Sequence, residues 1–176
     1  MRICRARTSD VGAIHALISR EIGEGGLLQR TREEIRRALP AFHVAVAHGS
    51  IAGCVALENY GGTLAEIRSL VVAQDMRGAG VGEKLLGAAI RHARRKGIAR
   101  LLAVTRNGQF FERNGFARLP GGIPAEKSER DCANCPRAAG CRLEALALEL
   151  SPAHADGGFP LFRPTGLERL PGPAPA

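Results

Sequence analysis

A chain of 176 residues, 45% of them apolar, is long enough to bury one core of its own, and disorder is not its default state. No apolar run reaches the ~20 residues that cross a bilayer, and Met1-Arg2-Ile3-Cys4-Arg5 lacks the apolar stretch of a secretory signal, so no membrane partner is expected and a cytoplasmic location follows by elimination. The net charge of +8, 25 Lys and Arg against 17 Asp and Glu, points to anionic partners; nucleic acid is set aside, because the arginines are scattered and aromatics that stack on bases are few.

Residues 1–7 alternate loosely, as an edge strand does. Thr8-Ser9-Asp10 offers helix caps before Val11, Ile14, Leu17, Ile18 and Ile22, which recur at helical spacing, and the glycines within residues 23–26 break that helix. Thr31-Arg32-Glu33-Glu34 is a capping box, a hydroxyl three residues before a carboxylate, and opens a short helix that Pro40 ends. Residues 42–47 and 51–57 read as a hairpin about Gly49-Ser50. A third strand, residues 65–72, finishes in Leu70-Val71-Val72. After a glycine-rich turn comes a helix with Val81, Leu85, Leu86, Ala89 and Ala93 on its inner face, stopped by Gly97. Its basic end, residues 91–96, reads as a solvated face whose cations complement the negative helix terminus. Residues 98–105 predict a buried strand, 110–113 a brief helix, and 116–119 and 143–150 two more strands.

The order β-α-α-β-β-β-α-β-α-β-β predicts an α/β (α+β) fold, one mixed sheet with helices on both faces. The domain spans residues 1–150. Four prolines fall in the last thirteen residues, and 151–176 reads as a Pro/Gly-rich tail, flexible or draped on the surface.

A strand that runs into Arg77-Gly78-Ala79-Gly80-Val81-Gly82 and then a helix presents free backbone N–H groups at a positive helix end, a ready site for phosphate. Glycines at 78, 80 and 82 do not give the G-x-G-x-x-G of dinucleotide-binding folds, and no Gly-Lys-Ser/Thr is present for a Walker loop. Taken alone the cluster also suits a purely structural turn.

Together with Glu66-Ile67-Arg68-Ser69-Leu70-Val71-Val72, the turn resembles motif A of the GNAT acetyltransferases, Arg/Gln-x-x-Gly-x-Gly/Ala. Phe111-Glu112-Arg113-Asn114-Gly115-Phe116 resembles the end of their motif B. The resemblance implies the GNAT fold, a largely antiparallel twisted sheet, and acetyl-CoA as cosubstrate. It implies that Leu70 and Val72 supply strand contacts to the pantetheine arm, and that Arg77, Gly78, Ala79, Gly80, Val81 and Gly82 cradle the diphosphate. A narrower resemblance, over roughly residues 1–150, is to the short N-acetylglutamate synthases of bacterial arginine biosynthesis. It is carried by Leu27-Leu28-Gln29-Arg30, the strand from Glu66, Phe110-Phe111-Glu112-Arg113, and Asp131-Cys132-Ala133-Asn134-Cys135-Pro136 with Cys141 and Glu144. Two departures stand out: Val104-Thr105 where those proteins have Leu-Thr, and residues 125–130 without their tryptophan. The resemblance implies a small-molecule amine, L-glutamate, as acceptor, and is compatible with a homodimer.

Acetyl transfer needs a neutral amine, so a base is required, and Glu66 is the candidate. It stands six residues before Val72, and strand alternation predicts both on one face. The matching glutamate is the base in some GNAT enzymes; the structural alternative is a carboxylate paired with Arg68. A main-chain N–H near residues 70–72 would stabilise the developing oxyanion. Phe110 and Phe111 occupy the stretch where many family members have a tyrosine acid, Tyr60 lies elsewhere, and water serves equally, so no acid is assigned. Forked guanidinium groups suit two carboxylates, and Arg30 and Arg68 are the candidates, against the alternative of surface charges.

Five cysteines are expected as reduced thiols. Cys4 and Cys54 fall in strand patterns. Cys132, Cys135 and Cys141 form C-x2-C-x5-C, half a zinc-ribbon signature, and a metal there would need a fourth ligand from elsewhere; no metal is expected, and a structural or redox role is the alternative. The histidines form no metal motif, and His15 and His43 read as structural. Other readings stay open: the same chemistry on another amino acid, a polyamine or a protein, or a noncatalytic acetyl-CoA or thiol sensor.

Overall fold

Apolar residues at helical spacing fold Val11–Arg20 into the first helix (α1), which buries Val11, Ile14, Leu17 and Ile18. The computed structural model describes residues 1–22, 29–133, 135 and 141–150. The expected helix break at 23–26, Leu27-Leu28 and the tail from 151 lie outside the described residues. Ile22 falls beyond α1, which is capped at Glu21. The capping box forms as expected: the Thr31 N–H donates to Glu34 Oε2 at 2.6 Å, and the Glu34 N–H donates to Thr31 Oγ1 at 3.1 Å. It opens Arg32–Arg37 (α2), which sinks Ile35 into the core.

The strands are Arg2–Arg5 (β1), Phe42–Ala47 (β2), Ser50–Gly61 (β3), Leu64–Val72 (β4), Arg100–Thr105 (β5), Ala117–Arg118 (β6) and Glu144–Glu149 (β7). They form one seven-stranded sheet in the order β1-β2-β3-β4-β5-β7-β6. Among these strands only β4 and β5 pair in parallel; the other neighbours are antiparallel. Val81–Arg95 (α3) connects β4 to β5, Gly108–Arg113 (α4) follows β5, and Ala125–Lys127 (α5) runs into a π-type turn over Ser128–Cys132. The sequence pattern contains neither α5 nor this turn.

Helices cover both faces. On one, Val55, Leu57, Ala65, Ile67, Leu101 and Ala103 pack against Val81, Leu85, Leu86, Ala89 and Ala93 of α3. On the other, Val44, Cys54, Ala56 and Val71 pack against α1 and Ile35 of α2. A fully buried Leu85 or Leu101 contributes roughly 1.5–3 kcal/mol, so both layers hold the sheet that carries the site. No helix among the described residues is long and apolar enough to cross a membrane.

Candidate active site

The parallel pairing of β4 with β5 runs from Leu64 opposite Arg100 to Ile67 opposite Ala103 and then stops. Beyond it residues 68–72 of β4 have no ladder partner on the β5 side, and a cleft of about 550 Å³ opens between the two strands. Glu66, Arg68, Leu70, Val72, Thr105 and Phe110 are among the residues that line it, with Gly78, Gly80 and Gly82 at one end and Arg30 and Lys127 at the other. Unpaired main chain along one wall suits an extended ligand with amide groups of its own.

At the glycine end, Gly78 and Gly80 sit in the left-handed region at φ 76° and 72°, which favours glycine for backbone reasons alone. A Cβ on either would meet open space. Gly80 is the N-cap of α3, has no side-chain cap, and its carbonyl accepts the first helical bond, from Lys84 N–H at 3.2 Å. The first N–H groups of α3 therefore lack helical acceptors and can serve a phosphate. Gly82 differs: a Cβ there would come within 3.3 Å of the Phe110 ring. Arg77 is held across the turn, Nη2 lying 2.6 Å from Glu21 Oε2 and Nε donating to the Val72 carbonyl at 3.3 Å. The turn and the open strand edge thus fit an extended diphosphate ester.

At the other end Glu66 is buried, and its Oε2 gathers three partners. Tyr60 donates its hydroxyl at 2.5 Å, Lys127 Nζ donates at 3.0 Å, and Arg68 Nε lies 3.7 Å away. Asp131 Oδ2 gathers the same three: Lys127 Nζ at 2.8 Å, Tyr60 OH at 3.0 Å and Arg68 Nη1 at 3.3 Å. Burial raises the Asp131 carboxyl, but the Lys127 ammonium and the Arg68 guanidinium more than reverse this and hold it below the usual carboxylate range. Burial, reinforced by the Glu66 carboxylate, pushes the Tyr60 phenol far up, so Tyr60 keeps its proton and donates. The sequence assigned no acid role to Tyr60 and no role at Glu66 to Lys127 or to Asp131, which entered only as the head of the Asp-Cys segment. Their i,i+4 spacing beside the Asp-Cys segment was the available signal.

Glu66 and Val72 do not share a face, contrary to the alternation expected of them. Cys54 pairs with Val71 and Ala56 with Arg68, so β4 carries an extra residue there, and Ser69 takes φ 50°. The bulge reverses the alternation: Ala65 and Ile67 belong to the core beneath α3, and after the bulge Leu70 and Val72 take that side while Val71 faces α1. The Cys54 thiol donates to the Ser69 carbonyl at 3.4 Å and ties the bulge to β3. Glu66 and Arg68 do share a face, as expected. Arg30 reaches the same end, its guanidinium 3.9 Å from Glu58 Oε2 and 5.9 Å above the Phe42 ring. Burial, then the Arg68 charge, lowers its pKa from the ordinary arginine value.

Cys54 is buried, and burial pushes its thiol up to about 12; Cys4, Cys132 and Cys135 are half-buried and Cys141 is exposed, all five as free thiols. Among the described residues no group of His, Cys, Asp and Glu is arranged to hold a metal.

Residues 39–118 match the acetyltransferase (GNAT) domain model. The chain is 35% identical over 136 residues to an uncharacterized N-acetyltransferase of Chlorobaculum tepidum, covering 77% of this chain and 88% of that one. It is 33% identical over 132 residues to an amino-acid acetyltransferase of Mycobacterium tuberculosis, covering 73% and 75%. The fold superposes on N-acetylglutamate synthase of Neisseria gonorrhoeae, complexed with coenzyme A and N-acetyl-glutamate, at a TM-score of 0.75 and 29% identity; the match covers 85% of this chain and 35% of that longer one. The cleft, the glycine turn at the head of α3 and these relatives agree: the chain belongs to the GNAT family of acetyl-CoA-dependent N-acetyltransferases.

Proposed function

We propose that the protein transfers the acetyl group of acetyl-CoA to the α-amino group of L-glutamate, giving N-acetylglutamate. The observation that carries this reading is the buried Glu66 carboxylate beside Arg68, with Arg30 on the same cleft, at the point where β4 parts from β5. The named activity of the Mycobacterium relative and the ligand of the Neisseria structure support it.

Acetyl-CoA supplies an acyl carbon that only a neutral amine attacks. In this reading Glu66, directly or through a water, takes a proton from the acceptor's ammonium group. Arg30 and Arg68 hold the acceptor's two carboxylates with forked N–H donors. The turn from Arg77 to Gly82 holds the diphosphate, and Leu70 and Val72 align the pantetheine arm. A main-chain N–H of residues 70–72 stabilises the charge that develops on the carbonyl oxygen as the C–N bond forms and the C–S bond breaks. The second proton that the nitrogen sheds as the amide forms passes through water to the departing CoA thiolate.

The test is a comparison of kcat/KM for L-glutamate and L-glutamine, which differ by one carboxylate. Loss of a charged hydrogen-bonding partner is expected to cost ~1.5–3 kcal/mol, or roughly 10- to 100-fold. Equal turnover of the two would remove the dicarboxylate reading. Faster turnover of a polyamine or lysine would favour the cationic acceptor that Glu66 and Asp131 also suit.

A further inference from the structure

Glu66 and Asp131 come from distant segments, yet among the described residues their side-chain hydrogen bonds and ion pairs converge on one oxygen of each. Tyr60, Lys127 and Arg68 each bridge Glu66 Oε2 and Asp131 Oδ2, closing a ring of two carboxylates, two cations and one phenol. We propose that Asp131 and Lys127 are positioning residues which set the readiness of Glu66 to accept a proton, by dividing two cations between two carboxylates. This deepens the reading of Glu66 as the base and rests on it.

Charge decides how strongly Glu66 holds a proton. A carboxylate that owned both Lys127 and Arg68 would be a well-stabilised anion and a weak base. Asp131 competes for both cations through a single oxygen, so neither is given wholly to Glu66. Without Lys127, two carboxylates would face each other with Arg68 alone, and one would hold its proton to higher pH. Tyr60 has one proton and bridges two acceptors, so it donates to one at a time.

Other charges near Glu66 have nearer partners, although the Arg30 guanidinium also feels the Glu66 carboxylate. Glu58 stands opposite it in the β3 register and is held by Arg30 and Arg130. Arg130 also donates to the Asn59 carbonyl at 3.0 Å and lies 4.9 Å above the Tyr60 ring. From β5 the residue opposite Glu66 is Leu102, which carries no charge. Past Asp131 the π-type turn ends at Cys132, whose thiol is pushed up by burial, with Lys127 acting against this. Among the described residues only Tyr60, Arg68 and Lys127 reach the Glu66 carboxylate within bonding or ion-pair distance. A buried ion cluster is weak evidence for stability in itself, whereas this one sits on the acceptor end of the cleft, where Glu66, Arg68 and Lys127 line the wall.

Two readouts on the full-length protein test the proposal. Carbon-13 spectroscopy follows the titration of the Glu66 side chain directly, and the acidic limb of kcat/KM follows its use. Asp131→Asn is expected to move both to lower pH, with a fall in kcat; Lys127→Met is expected to move both to higher pH; Asp131→Glu restores the wild-type curve. A structural role alone would lower the melting temperature and leave both curves where they are. A Glu66 titration that stays in place or rises in Asp131→Asn overturns the proposal, and this arm decides alone if Lys127→Met does not fold. A titration that moves as expected beside an unmoved rate limb leaves the cation sharing intact and overturns the assignment of Glu66 as base.

Discussion

Gly82, in the first turn of α3, faces the ring of Phe110 from α4 so closely that a Cβ would stand 3.3 Å from Cε2 and 3.4 Å from Cζ. The contact joins the phosphate-side turn to the far wall of the cleft, so a side chain here spreads the walls. Gly82→Ala is expected to raise KM for acetyl-CoA a few-fold, and Gly82→Val about tenfold, ~1.4 kcal/mol, with the far-ultraviolet circular dichroism unchanged. Recovery in Gly82→Ala/Phe110→Leu would tie the effect to this contact.

Gly80 shows the other use of glycine. Its Cβ would meet nothing, but φ is 72°, and a left-handed alanine costs roughly 1–2 kcal/mol. Gly80→Ala should therefore lower the melting temperature by about 2–4 °C per kcal/mol. Gly12, inside α1 with open space around it, is the counterpart: Gly12→Ala should stabilise by roughly 0.5–1 kcal/mol. Thermal melts of the two variants check the opposite signs.

Arg30 offers a forked guanidinium to the cleft that Glu66 lines. Arg30→Lys keeps the charge and loses the fork, so kcat/KM for glutamate is expected to fall roughly 10- to 100-fold while KM for acetyl-CoA holds. Steady-state kinetics with each substrate varied in turn separates the two constants.

A buried histidine pair makes the fold acid-sensitive. His43 of β2 and His92 of α3 pack edge to face, ring centroids 5.2 Å apart. Burial, then His92 and Arg5, lowers His43 to about 4; burial, then Arg5 and Arg95, lowers His92 to about 4. Their unfolded value is near 6.5, so the unfolded state binds more protons in between. The stability that the neutral pair contributes is fully present above pH ~6.5 and is lost as pH falls toward about 4. Urea midpoints should decline through that window, and the decline should flatten in His43→Gln/His92→Gln.

Much of the fold was legible because its signals are periodic or local. Val11, Ile14, Leu17 and Ile18 announce α1 by spacing, Thr31 and Glu34 announce α2 by chemistry, and the glycines at 78 and 80 mark a turn before a helix. The Ser69 bulge was not legible. A serine at positive φ has no sequence signature, and strand alternation read across it carried Val72 to the wrong face. The meeting of Lys127 and Asp131 with Glu66 was not legible for a related reason: α5 spans only Ala125–Lys127 and the turn after it Ser128–Cys132, too short to show a period, and both side chains join the cluster through tertiary contacts. Arg68 beside Glu66 was legible, being two residues along one strand; that Arg68 serves Asp131 as well was not.

Release of free CoA thiol from acetyl-CoA, followed with and without L-glutamate, decides whether glutamate is the acceptor. Release is expected to depend on glutamate, to exceed release with glycine, lysine or spermidine, and to fall sharply in Glu66→Gln. Glutamate-independent release, or silence with glutamate beside turnover of another amine, would contradict glutamate as the acceptor.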